Sequence, residues 1–500
     1  MPKKVIIWDS AHFFPFLLSN SLQKTADFEF YGIFSCAERQ KKFFKEQNIV
    51  NFKKSWFYHE HIFPDKQITD TDFLKEIENE YNLNLWKLVI NERIFNPKYN
   101  NYYKFSKNQV LSILEDECNL YDKILNEVKP DFFITVEPAL HNHYLFYLMC
   151  RSKGIKVLML NQSPIGYNCL ISQVLNKIDD YEKITPKQNS RSFEELREYL
   201  NRYAKSKQLS TYMNKFLSSK SQMLKAALNY IFVSDNSSLK KNFSYYGRTK
   251  FKVLFKEFFS LLRKNYRKSF IDNNFIKSID HIEQFVYVPL QMEPESTSLI
   301  GSPFSTDQLE TIRHVLKSLP MGYQLIVKDH PTQARHGWRS ISFYKEIMEM
   351  PNVHIIDPNF PASKLYQKTS LVIAASGASG FEAGFYGKSS IVFSDLGYSE
   401  LPSVFKVDSM EKLPETIRIA LNHKVEPGFI DSYLEELEKN SFNFNLSEFV
   451  TSYHDLFYFS GFLDDTEIRL DKMKLLMNKY ENTFDEISKK YLLKMNQNNP

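Results

Sequence analysis

Short hydrophobic runs alternate with stretches of helical periodicity in two separate parts of the chain. Runs of about four to eight apolar residues predict buried strands, and apolar positions repeated every three or four residues predict the helices between them. In the first part, the predicted strands are Val5–Trp8, Phe28–Phe34, Phe132–Val136 and Val157–Leu160. This alternation is typical of α/β domains with parallel sheets.

The second part shows the alternation more clearly. Its first helix is predicted to begin at Ser305, with Gln308 as the capping-box partner three residues later, and its last helix is predicted over Met410–Asn422. The pattern predicts a doubly wound sheet. Its predicted strands are Phe285–Leu290, Tyr323–Lys328, Val353–Asp357, Leu371–Ala375 and Ser390–Ser394.

The length of 500 residues is enough for about three domains of ~150 residues. We predict two Rossmann-like domains, at residues 1–178 and 281–425. Residues 179–280 are predicted to form a helical, basic insertion, and residues 426–500 a helical C-terminal extension. The predicted fold class is α/β.

Composition narrows the class of protein. The chain is 43% hydrophobic and 25% charged, which excludes wholesale disorder and a collagen-like chain. A net charge of +5 is too small to indicate a nucleic-acid partner. No run reaches the ~18 apolar residues of a membrane span. The cysteines lie far apart without metal-ligand spacing, which indicates a reduced, cytosolic compartment; they are Cys36, Cys118, Cys150 and Cys169.

Polar loops follow the predicted strands of the second domain. Ligands of open parallel sheets bind outside the carboxyl ends of the strands, so we expect these loops to converge on one edge. They begin at Gln291, Asp329, Ser376 and Asp395. The segment SGASG, Ser376–Gly380, contains two of the chain's 14 glycines and lies at a strand-to-helix junction.

Free backbone N–H groups and the positive end of a helix make this glycine-containing loop a candidate anion site. His330 and Lys328 supply donors or positive charge at the same edge, and Glu382 is placed to accept bonds from a ribose. Together they predict a site for a diphosphate or a nucleotide. In the alternative interpretation, Ser379 and Glu382 form a capping box that needs no ligand.

Three segments resemble the capsule polysaccharide biosynthesis family of glycosyltransferases. LIVKDHP matches its K-x-H-P segment, and AASGASGFEAGFYGKSSIVF matches its S/T-G-x-x-G-x-E-A and G-K-P-x-I-V-F segments. YVPLQMEPEST is similar to a third, P-L-(H/Q)-x-x-P-E-(A/S). Ser389 stands where the family often has proline. The resemblance is firm over residues 285–407 and faint in the first α/β part.

The resemblance implies a GT-B architecture, with two Rossmann-like domains facing a cleft and a nucleotide-activated sugar held mainly by the second. The first domain would bind the acceptor, a lipid-linked or polymeric glycan. No metal cofactor is implied, and the nucleotide sugar is a substrate. The implied donor-binding residues are Gln291, Glu295, Lys328, His330, Pro331, Ser376, Gly377, Ser379, Gly380 and Glu382.

The catalytic group should then come from the first domain, after one of its strands. An inverting transferase needs a carboxylate or a histidine to accept the proton of the acceptor hydroxyl. Asp9 and Glu137 are the leading candidates, and His12 is a weaker one. The alternative roles are helix N-capping for Asp9 and a salt bridge in the wall of the cleft for Glu137.

Three motifs resemble metal-binding sites but are not interpreted as metal ligands. Asp70-Thr-Asp72 fits the D-x-D motif of the other major glycosyltransferase fold, but no apolar strand precedes it, so it is predicted to be a turn and a helix N-cap. The pairs His59/His61 and His141/His143 have no obvious third ligand.

The segment Leu239–Phe270 contains ten Lys or Arg and one acidic residue, Glu257, with interleaved Phe and Leu. It predicts a basic helix with an apolar face, which suits contact with an anionic membrane surface. The alternatives are a helix packed on the second domain and cations that grip an anionic glycan. The membrane or acceptor candidates are Lys250, Lys252, Lys256, Arg263, Lys264 and Arg267.

The leading hypothesis is therefore glycosyl transfer from a nucleotide-activated sugar to a surface polysaccharide or glycolipid, in the cytoplasm or at the inner face of the membrane. The rivals are a CDP-alditol-dependent polyol-phosphate transferase and a non-catalytic nucleotide-binding component of a capsule assembly complex. A sugar-nucleotide epimerase would need Glu293 and Glu295 as acid and base. The sequence leaves the donor base and sugar open, CMP-linked Kdo among them.

Overall fold

The structure, a computed structural model, describes residues 2–66, 68–175, 177–179, 184–203, 220–234, 237–295 and 299–497. These residues divide into two compact units. The first unit contains residues 2–179, 220–253 and 441–497. The second contains residues 184–203 and 254–440.

The strands, in chain order, are β1 (Lys3–Asp9), β2 (Phe28–Phe34), β3 (Phe52–Phe57), β4 (Phe132–Val136), β5 (Lys156–Gln162), β6 (Asn168–Ser172), β7 (Phe285–Pro289), β8 (Gln324–Lys328), β9 (Val353–Ile356), β10 (Leu371–Ala374), β11 (Ser390–Val392), β12 (Val404–Lys406) and β13 (Ser441–Asn443). The helices are α1 (Phe14–Gln23), α2 (Glu38–Glu46), α3 (Thr71–Tyr81), α4 (Leu85–Ile90), α5 (Lys107–Val128), α6 (His141–Ser152), α7 (Phe193–Tyr203), α8 (Lys220–Phe232), α9 (Ser237–Lys241), α10 (Lys250–Asn274), α11 (Gln308–Ser318), α12 (Ile341–Met348), α13 (Ala362–Lys368), α14 (Ser379–Phe385), α15 (Leu413–Asn422), α16 (Pro427–Asn440), α17 (Leu446–Phe457) and α18 (Leu470–Asn496).

The sheet of the first unit has the strand order β13-β6-β5-β4-β1-β2-β3. The strands from β5 to β3 are parallel, and β6 and β13 pair antiparallel at one edge. β1 is central and buried on both faces, with Val5 and Ile7 in one core and Ile6 and Trp8 in the other. Two buried faces explain the unbroken apolar run of this strand. The strand order reverses between β1 and β4, which defines the switch point of the sheet.

The C-terminal helices complete the first unit. α18 buries Met473, Phe484 and Tyr491 in the same core as Phe14 and Leu17 of α1, and β13 pairs with β6. The unit boundary therefore falls at residue 440, inside the predicted extension 426–500. Likewise the predicted insertion 179–280 is shared, with 220–253 in the first unit and 184–203 and 254–280 in the second.

The sheet of the second unit has the order β12-β11-β10-β7-β8-β9, and all its strands are parallel. The strand order reverses between β7 and β10, so the loops after these two strands lie at the switch point. The prediction of two α/β regions with parallel sheets is confirmed. The predicted start of α11 at Ser305 is wrong, because the carboxylate of Asp307 caps the helix by accepting from the N–H groups of Leu309 and Glu310.

Candidate functional site

The switch point of the second sheet brings Gly377 against Gln291. Gly377 has a φ of +83°, and a Cβ placed on it would lie 2.9 Å from Oε1 of Gln291. The left-handed backbone conformation therefore favours glycine here, and a Cβ would also have to displace the end of the Gln291 side chain. The side chain of Tyr398 donates to the carbonyl of Gly377 and holds the turn.

The loop Ser376–Ala378 presents hydrogen-bond donors without protein acceptors. Among the described residues, the backbone N–H groups of Ser376, Gly377 and Ala378 donate to no protein group. Oγ of Ser376 is buried and also has no partner within the described chain. By contrast, the preceding carbonyl, of Ala375, accepts from Ser394 at 3.0 Å. Buried or half-buried donors are normally satisfied, so this loop has the chemistry of an anion site.

His330 follows β8, the next strand after β7 on the other side of the switch point. Its Nδ1 accepts from the N–H of Thr332 at 3.2 Å, and Oγ1 of Thr332 lies 2.5 Å from the same atom. The neutral ring therefore carries its proton on Nε2. Burial lowers the pKa of His330, and the nearby Lys328 lowers it further. The ring is thus a neutral donor.

Lys328, the last residue of β8, is buried. Burial lowers its pKa to about 8, although the carboxylates of Glu382, Asp329 and Asp357 counteract this fall. Glu382 lies on α14, which follows β10, and its negative charge raises the pKa of Lys328 at the end of β8. The residues that follow β8 and β10 therefore share one edge of the sheet. Neighbouring strands lie ~4.8 Å apart, so the ends of β8 and β10 are about 10 Å apart across β7.

A buried ion-pair network that the sequence analysis missed supports these loops. Nη1 of Arg339 lies 3.1 Å from Oε2 of Glu293, and its Nε donates to Oδ1 of Asp329 at 3.2 Å. Nη2 donates to the carbonyl of Gln291. Tyr344 completes the network by donating to Oδ2 of Asp329 at 2.5 Å. Arg339 thus ties the loop after β7 to the loop after β8.

Glu293 is therefore committed to a structural ion pair. It also accepts from Nε2 of Gln308 at 2.6 Å and is buried. This arrangement leaves it poorly suited to the acid–base role that an epimerase would require. Glu295 is half-buried, and its carbonyl accepts from Leu299 at 3.0 Å. Pro331 is exposed at the start of a 3₁₀ turn, Pro331–His336.

The capping-box alternative for Ser379 and Glu382 is not formed. The N-cap of α14 is Ala378, and no side chain bonds there. Glu382 instead accepts from the hydroxyl of Tyr366 at 3.0 Å. Gly380 is packed closely, because a Cβ there would lie 3.0 Å from the hydroxyl of Tyr398.

Asp9 lies at the switch point of the first sheet, at the end of β1. Its carboxylate accepts from the N–H groups of His12 at 3.0 Å and of Phe13 and Phe16 at 3.3 Å each. Burial raises its pKa to about 6, although these backbone bonds lower it. This geometry is that of a carboxylate anchoring the start of α1, the alternative role considered for it.

The two other candidates of the first unit are more accessible. Glu137 follows β4 directly and is half-buried, on the opposite side of the same switch point from Asp9. His12 is exposed, with Nδ1 3.1 Å from the hydroxyl of Tyr453. Ala11 and Phe13, on either side of His12, have positive φ values of 59° and 64°. Non-glycine residues are strained in this region, and such strain concentrates at functional loops.

The metal-like motifs take structural roles. The prediction that Asp70 is an N-cap is confirmed, since it accepts from the N–H groups of Asp72 and Phe73. His141 is buried between Glu92 and Glu117, with both ring nitrogens 3.0 Å from a carboxylate. Burial alone would lower its pKa, yet these acids raise it to about 10. Throughout the described chain, no three His, Cys, Asp or Glu residues are arranged to hold a metal ion.

The basic segment forms α10, whose apolar side chains stay exposed. Phe251, Phe255, Phe258 and Leu262 are each more than half exposed, and only Ile271 of the helix is buried. Four of the predicted cations donate within the protein. Lys250 donates to the carbonyl of Ile231 at 2.8 Å, and Arg263 donates to that of Phe259 at 3.3 Å. Lys252 donates to the carbonyl of Tyr102 at 2.5 Å, and Arg267 donates to that of Trp338 at 2.7 Å. Within the described ranges, no helix has the length and hydropathy needed to cross a bilayer.

The fold and the site define an α/β protein whose second, doubly wound sheet carries hydrogen-bond donors without protein acceptors at its switch point. The sequence model of the family described as capsule polysaccharide biosynthesis protein matches residues 146–399, just over half of the chain. The chain therefore belongs to this family, and the family predicted from its motifs is confirmed. A search of curated proteins found no match.

Several solved structures resemble the chain weakly. UDP-GlcNAc 2-epimerase from Methanocaldococcus jannaschii is 14% identical, with 87% of this chain and 98% of that chain covered and a TM-score of 0.25. KpsC, beta Kdo 2,7 transferase, from Thermosulfurimonas dismutans is 13% identical, covering 70% and 87%, with a TM-score of 0.28. MurG from Acinetobacter baumannii is 11% identical, covering 87% and 95%, with a TM-score of 0.27. Similarities at this level carry no argument about activity.

Proposed function

We propose that the protein is a glycosyltransferase that moves a sugar from a nucleotide-activated donor to a capsular or other surface glycan. The observation that carries this proposal is the group of orphan donors at Ser376, Gly377 and Ala378, on the same sheet edge as the Nε2–H of His330. Backbone donors and a neutral imidazole suit the phosphate of a leaving nucleotide. Family membership supplies the biological setting, capsule polysaccharide synthesis.

The chemistry assigned to these groups is a displacement at the anomeric carbon. The acceptor hydroxyl oxygen forms a bond to that carbon, while the bond between the carbon and the phosphate oxygen breaks. The electron pair leaves with the nucleotide, whose growing charge the loop N–H groups, His330 and Lys328 stabilise. The hydroxyl proton goes to a base. We assign Glu137 as this base, because it directly follows β4 at the switch point of the first sheet and is half-buried, whereas Asp9 is buried.

A donor panel tests the reaction. The purified protein would be incubated with CMP-, UDP- and GDP-activated sugars, and with CDP-glycerol and CDP-ribitol, in the presence of capsular polysaccharide or its lipid-linked precursors. We expect release of a nucleotide and incorporation of a sugar from at least one sugar donor. Incorporation of polyol phosphate from a CDP-alditol would favour the rival transferase. Nucleotide binding without any turnover would favour a non-catalytic partner.

We further propose that the protein works at the inner face of the membrane, held there by α10. At 100° per residue, the exposed apolar side chains from Phe251 to Tyr266 occupy an arc of about 160°, and the cations occupy the opposite side. Lys256, Arg263 and Lys264 lie on that basic side. An apolar face flanked by cations is typical of a helix lying in an anionic lipid interface, where each cation contributes ~1 kcal/mol.

Vesicle sedimentation tests this attachment. We expect the protein to bind vesicles that contain phosphatidylglycerol more strongly than vesicles of phosphatidylcholine alone, and to be released by salt. The variant F251S/F255S/F258S should lose binding. The matched control L470S/L475S/L493S replaces three exposed leucines of α18 and should bind normally. Equal binding by both variants would refute the assignment of α10.

A further inference from the structure

The first unit contains a cavity that the proposed chemistry does not use. Its volume is about 510 Å³, within the ~300–1,000 Å³ of small-molecule sites. It lies beyond the carboxyl ends of β2 and β3, the sheet edge that also carries Asp9 and Glu137. Its walls come from α2, from α9 and from the segment 59–66 that follows β3.

The cavity wall is polar and its charges are already balanced. Lys41 bonds Glu38 at 2.7 Å and Glu60 at 2.9 Å. Lys241 lies 3.2 Å from Glu38, and Lys66 lies 2.5 Å from Asp116. The wall and its direct ion-pair partners comprise five lysines, namely Lys41, Lys45, Lys66, Lys240 and Lys241, and five carboxylates, namely Glu38, Glu60, Asp65, Glu115 and Asp116.

The balance of positive and negative charges in the wall favours a neutral ligand over an anionic one. A phosphate or carboxylate would face Glu38 or Glu60 beside the ammonium groups of Lys41 and Lys241. Lys66 is likewise already paired, with Glu115 and Asp116, so the set of charges has no surplus of positive charge to hold an anion. A neutral polyol gains from the same wall, because its hydroxyls both donate to carboxylates and accept from ammonium groups. His59 adds another neutral group, since burial lowers its pKa to about 3. Its buried Nδ1 has no hydrogen-bond partner within the described residues.

Apolar surfaces complete the cavity. Phe63 is 59% exposed at its edge, and Ile62, Pro64 and Tyr246 line it as well. An exposed aromatic ring beside paired donors and acceptors suits a sugar, which presents a C–H face and a rim of hydroxyls.

We propose that this cavity binds a neutral saccharide segment of the acceptor glycan, with Phe63 as its stacking platform. The proposal rests on the proposed function only in naming the ligand as part of an acceptor. It assigns His59 and Glu60 of the His59-Glu-His61 motif to a sugar site rather than to a metal. It also gives α9, part of the basic segment, a role in the wall of a glycan site.

Saturation-transfer NMR and calorimetry with maltotriose, chitotriose, galactotriose and trigalacturonate test the proposal. We expect at least one neutral trisaccharide to bind, and F63S to weaken it by about tenfold or more. W86S, which removes a half-exposed ring of α4 outside the cavity, should bind as the wild type does. The melting temperature and nucleotide affinity of F63S should not change.

Several results would overturn the proposal. These are the absence of neutral trisaccharide binding, tighter binding of trigalacturonate than of every neutral probe, or wild-type affinity in F63S. Nucleotide binding separates its failure from that of the proposed function. A protein that binds nucleotide but no saccharide disproves the cavity assignment alone. A protein that binds saccharide but no nucleotide disproves the donor site alone.

Discussion

Nδ1 of His330 accepts a hydrogen bond from the N–H of Thr332, and this bond leaves Nε2 as the donor of the ring. A phosphate at the loop after β10 would accept from that atom. H330A should weaken nucleotide binding by about tenfold to a hundredfold, the value of a hydrogen bond to a charged group. H330Q, whose amide nitrogen reaches the position of Nε2, should retain more affinity than H330N, whose nitrogen reaches only that of Nδ1. Equal losses in H330Q and H330N, measured by calorimetry, would contradict the assignment of Nε2.

The lowered pKa of Lys328 leads us to expect that nucleotide binding depends on pH. Its pKa is lowered to about 8, so the amine loses its charge between pH 7 and pH 9, well before an exposed lysine would. Affinity for a phosphate should therefore fall as the pH rises, by about tenfold at pH 9 if the contact requires the cation. K328R keeps its charge over this range and should give a flat profile. A flat profile for the wild type would remove Lys328 from the donor site.

Gly377 is expected to be irreplaceable, and Gly322 provides a matched control. Both have left-handed φ values, +83° and +94°, but a Cβ at Gly322 meets nothing closer than 4.0 Å, whereas one at Gly377 meets Gln291 at 2.9 Å. G322A should lose only ~1 kcal/mol of stability from backbone strain and bind nucleotide normally. G377A should displace the side chain of Gln291, itself a donor-site residue, and lose binding. Wild-type affinity in G377A would show that the loop N–H groups do not contact the ligand.

Arg339 is expected to be essential for stability. R339M leaves the buried carboxylates of Glu293 and Asp329 uncompensated, which costs ~3–5 kcal/mol in the free energy of unfolding. The control R313M breaks half-exposed pairs with Glu310 and Glu346 and should cost at most ~1 kcal/mol. Urea denaturation of the two variants measures the difference. Equal midpoints would show that the network does not hold the two loops.

Substitutions at Asp9 and Glu137 test which of the two residues is the catalytic base. E137Q should lower turnover by about 10²–10⁴-fold at unchanged nucleotide affinity, because it removes the base. D9N keeps an acceptor oxygen for the start of α1 and should stay active, while D9A should lose ~1–2 kcal/mol of stability. An inactive D9N of normal stability would instead make Asp9 the base. Turnover and thermal unfolding of the four proteins, wild type included, decide between these roles.

Much of the second unit could be predicted because its features are local. Each of its five predicted strands is mainly apolar, and His330 and Gly377 each stand two residues after one of them. Strands β3 and β12 were missed because their sequences, FKKSWF and VFK, are partly polar or very short edge strands. The sequence predicts a separate extension over residues 426–500, because periodicity shows that α18 has an apolar side but not which surface covers that side.

The ion-pair role of Arg339 could not be predicted from sequence patterns, because it depends on contacts between segments far apart in the chain. It follows no strand and belongs to no motif, and its partners Glu293 and Asp329 come from two different loops. Only the parallel order of β7 and β8 brings them together. The role of Asp9 was likewise undecided between base and cap, since strand-end placement serves both. Three backbone N–H groups within 3.3 Å of its carboxylate favour the cap.

Calorimetric titration of the wild-type protein with CMP, CDP, UDP and GDP, repeated on G377A and G322A, measures the central assignment most directly. The account predicts that at least one nucleotide binds the wild type and G322A with similar affinity, stabilises them by ~2.7 kcal/mol at a hundred times Kd, and does not bind G377A. If none of the four nucleotides binds, or if G377A binds as the wild type does, the donor phosphate is not held at this loop.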